Sequence, residues 1–488
     1  MNMLAFDLGG SGAKLVLGKF DGHTLRLETI HRFEHSPIRI RNGLYWDIVN
    51  IYRNLMQGIG KAVEATGDSI ESFGVDSFSN DFAFVSREGE LLSQLRCYRD
   101  SRTERYKERI YAKMPPEKLY ALTGNQNANF NTLMQLAAMC EAGQGYLIRN
   151  ACKMLFTPDL LTYFLTGNPV AEYTVSSVSQ MFSFAANRWD PEILKTFGLS
   201  ESLFGKLVMP GTVVGVTDGS VNRFLGAKGF PVVAVCEHDT ASAFLASAGG
   251  KDSVIISSGT WALVGVQVEK PMISGYGLKY NVANEGGYRG YHRLLRNVMG
   301  TWIIQQIRED CRRKGREYTY SQLEEMAAKS EPFAYWVDVD DPVFFEPGDM
   351  PEKVRQACKK LWGSAPRDLG GVVRCVYESL AMKFRWSVEI LEHMTGRTYP
   401  SVNLIGGGSK DGLMCQLTAD ICGKPVTAGP AEATSYGNLM VQLIADGAVE
   451  NVEEGRKILR ASFSVREYRP QIPADGEYRK FKSMLHLA

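Results

Sequence analysis

Met3-Leu4-Ala5-Phe6-Asp7-Leu8-Gly9-Gly10-Ser11-Gly12-Ala13-Lys14-Leu15-Val16-Leu17 is the stretch on which the reading of the fold turns. Leu4–Phe6 and Leu15–Phe20 have the apolar character of strands. The polar, glycine-rich run Asp7–Lys14 between them is too short to hold a helix, so the spacing predicts a β-hairpin. Glycines at 9, 10 and 12 let backbone N–H groups approach a phosphate closely, Ser11 adds a hydroxyl and Lys14 a cation. Asp7 ends the first strand and faces the same turn, where a carboxylate is compatible with phosphate only if Mg²⁺ or water lies between them. The stretch is not a Walker A loop, because the four-residue spacer and the Gly-Lys-Ser/Thr ending are missing. Nor is it a dinucleotide fingerprint, which a helix rather than a strand follows. A purely structural glycine hairpin is the competing reading.

The same pattern returns about half a chain later. Val254-Ile255-Ile256 leads into Ser257-Ser258-Gly259-Thr260, and Trp261–Val266 follows as a second apolar run. Two domains that share an opening element, related by duplication, account for this placement, and 488 residues is long for a single core. The boundary is expected near residue 245, where Ala246–Lys251 gathers small residues, giving domains 1–245 and 246–488. Elsewhere, helical spacing marks 50–66, 103–113, 131–142, 158–166, 372–395 and 413–422. Strand runs mark 73–75, 82–85, 232–236 and 402–405. Alternating strands and helices in both halves predict α/β domains. The segment 310–370, with Pro332, Pro342, Pro347, Pro351 and Pro366, reads as helices and loops decorating the second domain.

Composition narrows the function. Fifty-five basic and 54 acidic residues leave a formal charge of +1, so no global field steers the chain to nucleic acid or to an acidic membrane. Nine scattered cysteines suggest neither a disulfide framework nor a zinc site. The N-terminus lacks the pattern of a secretory signal, and no apolar run is long enough to span a bilayer. A cytoplasmic protein is expected.

Three further segments carry possible chemistry. Val232–Cys236 delivers Glu237, His238, Asp239 and Thr240 to a strand end, the usual address of catalytic groups in such sheets. Asp239 can take a proton from a hydroxyl, and His238 can donate to a hydroxyl oxygen; the structural alternative for Asp239 is a helix N-cap. Ser257–Thr260 offers hydroxyls and amides to an anion, or is a serine-rich turn. Gly406-Gly407-Gly408 offers side-chain-free backbone to a flat base or ribose, or is a tight strand-to-helix turn.

Taken together, these motifs resemble the FGGY family of carbohydrate kinases over nearly the full length. Gly43-Leu44-Tyr45-Trp46-Asp47, Tyr98–Thr103, Tyr120–Gly124, Phe130–Leu133, Asn284–Gly287 and Asn297–Gly300 carry the resemblance alongside the hairpins, His238–Ala243 and Gly406–Gly408. It implies an α/β fold of two ribonuclease-H-like domains of the actin and sugar-kinase type flanking an interdomain cleft. ATP and Mg²⁺ are implied as cosubstrate and cofactor. So are partners limited to a small sugar and ATP, with no nucleic acid and no membrane, in a monomer or homodimer. Asp239 is then the general base. Gly10, Ser11, Gly12, Ala13, Lys14, Thr260, Gln305 and Gly407 match nucleotide positions, with Asp7 on the Mg²⁺ side, acting through water. Ser79, His238, Asp239, Thr240 and Asn297 match sugar positions, with Trp46 and Asp47 as walls or supports. Within the family the motifs resemble most the branch that phosphorylates L-rhamnulose on its primary hydroxyl. The chain departs from that branch at Ser79, where glycine is usual, at Asn80, where an apolar residue is usual, and at Lys14, where arginine is usual. The open alternatives are a kinase for another ketose or polyol (fuculose, xylulose, ribulose, glycerol), an actin-like ATPase without a sugar, and a non-catalytic sugar-binding regulator.

Overall fold

The computed structural model describes residues 1–487. Its chain forms two compact units that interleave along the sequence. The first comprises 1–246, 267–294 and 434–463, and the second 247–266, 295–433 and 464–488.

The first unit is built on a six-stranded sheet. Its strands are β1 (Asn2–Leu8), β2 (Gly12–Phe20), β3 (Leu25–Glu34), β4 (Ser72–Ser77), β5 (Thr212–Val216) and β6 (Pro231–Ala234), in the order β5-β6-β4-β1-β2-β3. β1 and β2 form the expected antiparallel hairpin, with Asp7 opposite Lys14. β4 runs parallel to β1 and places Asp76 beside Asp7. Every residue of β4 is buried, as expected for a strand covered on both faces. The helix Ile48–Thr66 starts on an Asp47 cap and ends at Gly67 in the left-handed region, φ 61°. Its Ile51, Leu55, Ile59 and Ala62 stripe joins the core formed by Leu4, Phe6, Leu15 and Phe73. The helix Ala433–Asp446 also packs on this unit, with Gln442 Nε2 donating to the Leu4 carbonyl at 2.9 Å.

In the second unit β7 (Ser253–Ser258) and β8 (Trp261–Val268) form the second antiparallel hairpin. β9 (Ser401–Ile405) runs parallel to β7, β10 (Val426–Ala428) parallel to β9, and β11 (Arg466–Tyr468) antiparallel to β10. The long helix Leu369–Thr395 is buried along most of its length and lies against the helix Gly412–Cys422. Both units therefore repeat one plan, a hairpin whose first strand gains a parallel neighbour.

Local differences from expectation have local causes. The run 103–113 is a 3₁₀ turn, Ser101–Tyr106, capped by Asp100, followed by the α-helix Lys107–Lys113. β6 stops at Ala234, two residues short of the apolar run, and beyond it the Glu237 carbonyl accepts from the Ser77 amide at 2.8 Å.

Candidate active site

The short helix Asp239–Leu245 begins just beyond β6. His238 occupies the cap position, and Asp239 is the first helical residue. The N-cap reading of Asp239 is therefore not what the structure contains. Its Oδ1 accepts from the amide and hydroxyl of Thr240, at 2.6 and 3.1 Å. Oδ2 has no hydrogen-bond partner among the described residues, and the side chain is 30% exposed. Burial, reinforced by the nearby Asp7 carboxylate and opposed by His238 and Thr240, pushes the Asp239 carboxyl above the usual carboxylate value. A carboxyl shifted this way, with one oxygen fixed and the other open, is a better proton acceptor than an ordinary carboxylate. The turn is anchored from behind: the His238 amide donates to Thr174 Oγ1 at 3.1 Å, and that hydroxyl donates to Glu172 Oε2 at 2.5 Å. Burial pushes the Glu172 carboxyl up to about 7.

Asp7, Asp76 and Asp239 form an electrostatic group within the first unit. Asp76 is fully buried at the end of β4, and its carboxyl is raised by burial, then by Asp7 and, more weakly, by Asp239. Asn438 Nδ2 donates to Asp76 Oδ2 at 2.6 Å, while Oδ1 is buried and accepts from nothing among the described residues. Lys14 Nζ lies 2.9 Å from Asp7 Oδ2. In the hairpin turn, Gly10 and Ser11 are exposed, the Gly9 amide donates to the Gly12 carbonyl at 3.0 Å, and Ala13 turns its side chain into the core. Ala13 can therefore offer a phosphate only its backbone. Hard oxygen donors and an unsatisfied buried carboxylate oxygen fit a divalent cation such as Mg²⁺. Among the described residues no group of three His, Cys, Asp or Glu side chains could hold a metal, so a cation here would keep most of its water shell.

Ser79 and Asn80 follow β4. Asn80 adopts φ 75°, which an asparagine tolerates better than most residues. Its side chain is satisfied by the Thr132 amide at 3.3 Å, and its Nδ2 donates to Ser79 Oγ at 3.1 Å. The extra hydroxyl at position 79 thus has a partner supplied by the other unusual residue. Trp46 is buried; its indole N–H donates to Asp81 Oδ2 at 2.7 Å, and its ring stacks on Phe78 at 4.7 Å. Asp47 is exposed and caps its helix by accepting from the Asn50 amide at 3.0 Å. Both residues have structural work that the sequence reading did not separate from a sugar contact.

In the second unit, Thr260 and Gln305 come together, with Thr260 Oγ1 3.5 Å from Gln305 Oε1. Gln305 Nε2 donates to Thr301 Oγ1 at 3.0 Å, and Thr301 Oγ1 donates to the Gly259 carbonyl at 2.8 Å. The three glycines at 406–408 serve different ends. Gly406 has φ 79°, a Cβ on Gly408 would overlap the Ser258 side chain, and Gly407 is exposed, with only the Ser258 carbonyl oxygen 4.0 Å from where a Cβ would sit. Gly407, the predicted nucleotide contact, is the one left facing out. Asn297 also belongs to this unit, and its Oδ1 is buried without a hydrogen-bond partner among the described residues.

Comparison with known proteins decides the family. The model of the FGGY family of carbohydrate kinases, N-terminal domain, matches residues 2–246, and that of the C-terminal domain matches residues 254–445. The chain belongs to the FGGY family of carbohydrate kinases. It is 37% identical over 485 residues to a rhamnulokinase of Bacteroides thetaiotaomicron, covering 99% of both chains. It is 32% identical over 468 residues to a rhamnulokinase of Bacillus subtilis, covering 96% of this chain and 95% of the relative. Among solved structures it is similar to a ligand-bound xylulose kinase from Lactobacillus acidophilus, with TM-score 0.81 and 14% identity over 100% of this chain and 96% of that one. It is likewise similar to a Plasmodium falciparum glycerol kinase with ADP, with TM-score 0.79 and 15% identity over 99% and 97%.

This FGGY kinase thus has the two-domain α/β sugar-kinase fold and takes ATP and a sugar as substrates. Several of its polar site neighbours escaped the sequence reading. Asp76 had a usable signal, since it follows the strand run 73–75 as Asp7 follows Leu4–Phe6. Asn438 had none, because it meets Asp76 across 362 residues of sequence. Of the two residues that flank His238, Glu285 lies in the motif Asn284–Gly287, which the sequence marks without a role, and Arg293 lies in a segment the sequence does not mark. Among the described residues no helix is long and apolar enough to cross a membrane.

Proposed function

We propose that this FGGY kinase transfers the γ-phosphoryl group of ATP to the primary hydroxyl of L-rhamnulose, giving L-rhamnulose 1-phosphate. The observation that carries the reading is near-full-length similarity, at 32–37% identity, to rhamnulokinases. Asp239 accepts the hydroxyl proton on Oδ2 as the oxygen attacks phosphorus, while Thr240 fixes Oδ1. His238 and Asn297 orient the sugar, and the unsatisfied Asn297 Oδ1 supports that role. The Gly10–Lys14 turn receives ATP phosphates, with Lys14 and the exposed amides offsetting charge in the transition state. Thr260, Gln305 and Gly407 contact the nucleotide. Residues 1–245 thus carry most of the sugar side together with the phosphate hairpin, and 246–488 carry the nucleotide side together with Asn297. Asp7, with Asp76 behind it, would hold Mg²⁺ through water, and the ion supplies charge neutralisation to the phosphates when bound. Trp46 and Asp47 support the sugar side from beneath. We place the reaction in the cytoplasm, a reducing compartment consistent with nine free cysteines.

A coupled ADP-release assay over L-rhamnulose, L-fuculose, D-xylulose, D-ribulose and glycerol tests the reading. The expected result is highest kcat/KM for L-rhamnulose and little ADP without sugar. A higher kcat/KM for another acceptor, or ADP release indifferent to sugar, overturns it.

A further inference from the structure

We infer that Arg293, paired with Glu285, fixes His238 as the Nε2–H tautomer, so that the imidazole meets the acceptor sugar only as a hydrogen-bond donor and Asp239 is left as the sole proton acceptor. The inference rests on the assignment of the His238–Asp239 turn to the sugar.

Arg293 projects from the strand His292–Met299, and its side chain is 2% exposed. Each guanidinium nitrogen has an address. Nε donates to the Gly286 carbonyl at 3.0 Å, Nη1 lies 2.9 Å from Glu285 Oε2, and Nη2 lies 3.1 Å from His238 Nδ1. A guanidinium has five N–H donors and no acceptor, so a ring nitrogen at hydrogen-bond distance from it must present a lone pair. Neutral imidazole then carries its proton on Nε2.

The rival arrangement is an Nδ1–H donating to Glu285. Oε2 of Glu285 is 3.4 Å from Nδ1, beyond the usual N–H···O range of roughly 2.7–3.2 Å. Glu285 already has its counter-charge in Arg293, whose Nη1 lies 2.9 Å from Oε2. An imidazolium would also lie against the buried guanidinium, cation to cation.

The other ring nitrogen is not committed. Nε2 is 3.6 Å from Asp239 Oδ1, too far for a hydrogen bond, and Oδ1 already accepts twice from Thr240. The Nε2–H is therefore free for a sugar oxygen. The ring cannot turn away easily, because the His238 amide is tied to Thr174 and the side chain is only 8% exposed. Arg293 is a positioning residue, acting on the sugar through His238.

The test is nitrogen NMR on the full-length protein labelled with ¹⁵N-histidine, at neutral pH, with the His238 signals identified by their loss in His238→Gln. Seven histidines keep the spectrum readable. The expected wild-type spectrum shows His238 protonated at Nε2 and bare at Nδ1. Arg293→Met should move the proton to Nδ1, facing Glu285, and lower kcat for the sugar by roughly 10–100-fold with KM for ATP unchanged. Should that variant fail to fold, Arg293→Met combined with Glu285→Gln keeps the buried site neutral, and it should lose the preference for Nε2–H. An Nδ1–H or doubly protonated His238 in the wild type overturns the inference, as does a tautomer that survives both variants. If the wild-type tautomer is Nε2–H but saturating sugar leaves the His238 signals unmoved, the sugar assignment fails while the action of Arg293 on the ring stands.

Discussion

The two hairpins of this kinase share a plan and differ in chemistry. In the first, the strand places Asp7 beside Asp76 on the parallel neighbour, and Lys14 opposes Asp7 across the turn. In the second, the corresponding strand places Ser257 beside Ile405 and leads into a turn with no charged residue. One turn works by charge, with carboxylates that repel each other and a lysine that offsets them. The other works by shape, with glycines that let backbone segments close on one another. The same scaffold element therefore fails in different ways when altered, by lost charge in one unit and by lost space in the other.

The sharpest break in the first unit comes from a backbone contact behind the charges. A Cβ on Gly437 would overlap the Ser242 carbonyl oxygen in the helix that Asp239 begins. Backbone cannot yield as a side chain can, so Gly437→Ala should cost about 1–3 kcal/mol or more of stability and displace Asp239, with kcat falling roughly 100-fold. Denaturant unfolding and steady-state kinetics on one preparation measure both. Next in size, Lys14→Met should raise KM for ATP about tenfold or more and Lys14→Arg should recover much of it, because the effect is one of charge. In the second unit, a Cβ on Gly300 would come within 2.5 Å of the Gly259 carbonyl oxygen. Gly300→Ala should therefore lower stability by about 1–3 kcal/mol and raise KM for ATP about tenfold through a displaced turn, whereas Gly10→Ala, whose Cβ meets only the Tyr98 hydroxyl at 3.5 Å, should change stability by less than about 0.5 kcal/mol. Equal effects of the two alanines would erase the contrast between charge and shape. Smallest of all, Asp47→Ala should lower stability by about 1 kcal/mol through loss of the helix cap, with Asp47→Asn restoring it. A raised sugar KM in the asparagine variant would instead make Asp47 a sugar contact.

Much of this was legible in sequence because it depends on neighbours in the chain. Strand–glycine–strand spacing predicts both hairpins, and Asp239 follows an apolar run that any reading would take as a strand. The burial stripe of the helix Ile48–Thr66 follows from its own periodicity. Illegible were the groups whose role depends on distant partners. Asn438 satisfies half of Asp76 from the far end of the chain, and Arg293 meets His238 only through tertiary folding. Trp46 shows the intermediate case: its motif was visible, but whether an indole faces a ligand or donates inward to Asp81 is decided by packing. Ser79 and Asn80 stood out as departures, and their mutual hydrogen bond explains how two unusual polar residues coexist in one loop.

The central claim, that Asp239 is the base, is tested most directly by Asp239→Asn, with sugar phosphorylation, ATP binding and thermal stability followed on the same sample. The raised carboxyl makes the third reading informative. Because the folded-state value lies above the unfolded one, the folded chain holds the proton more tightly, and stability is lost as pH rises from about 3.9 through the folded value. The neutral amide escapes that penalty at neutral pH. The account predicts a loss of turnover of roughly 10²–10⁴-fold, unchanged ATP affinity and a melting temperature equal to or above that of the wild type. In the wild type, the acid limb of kcat/KM for the sugar should lie above the ordinary carboxylate value. Phosphorylation of L-rhamnulose at a near wild-type rate by a folded, ATP-binding Asp239→Asn protein would contradict it.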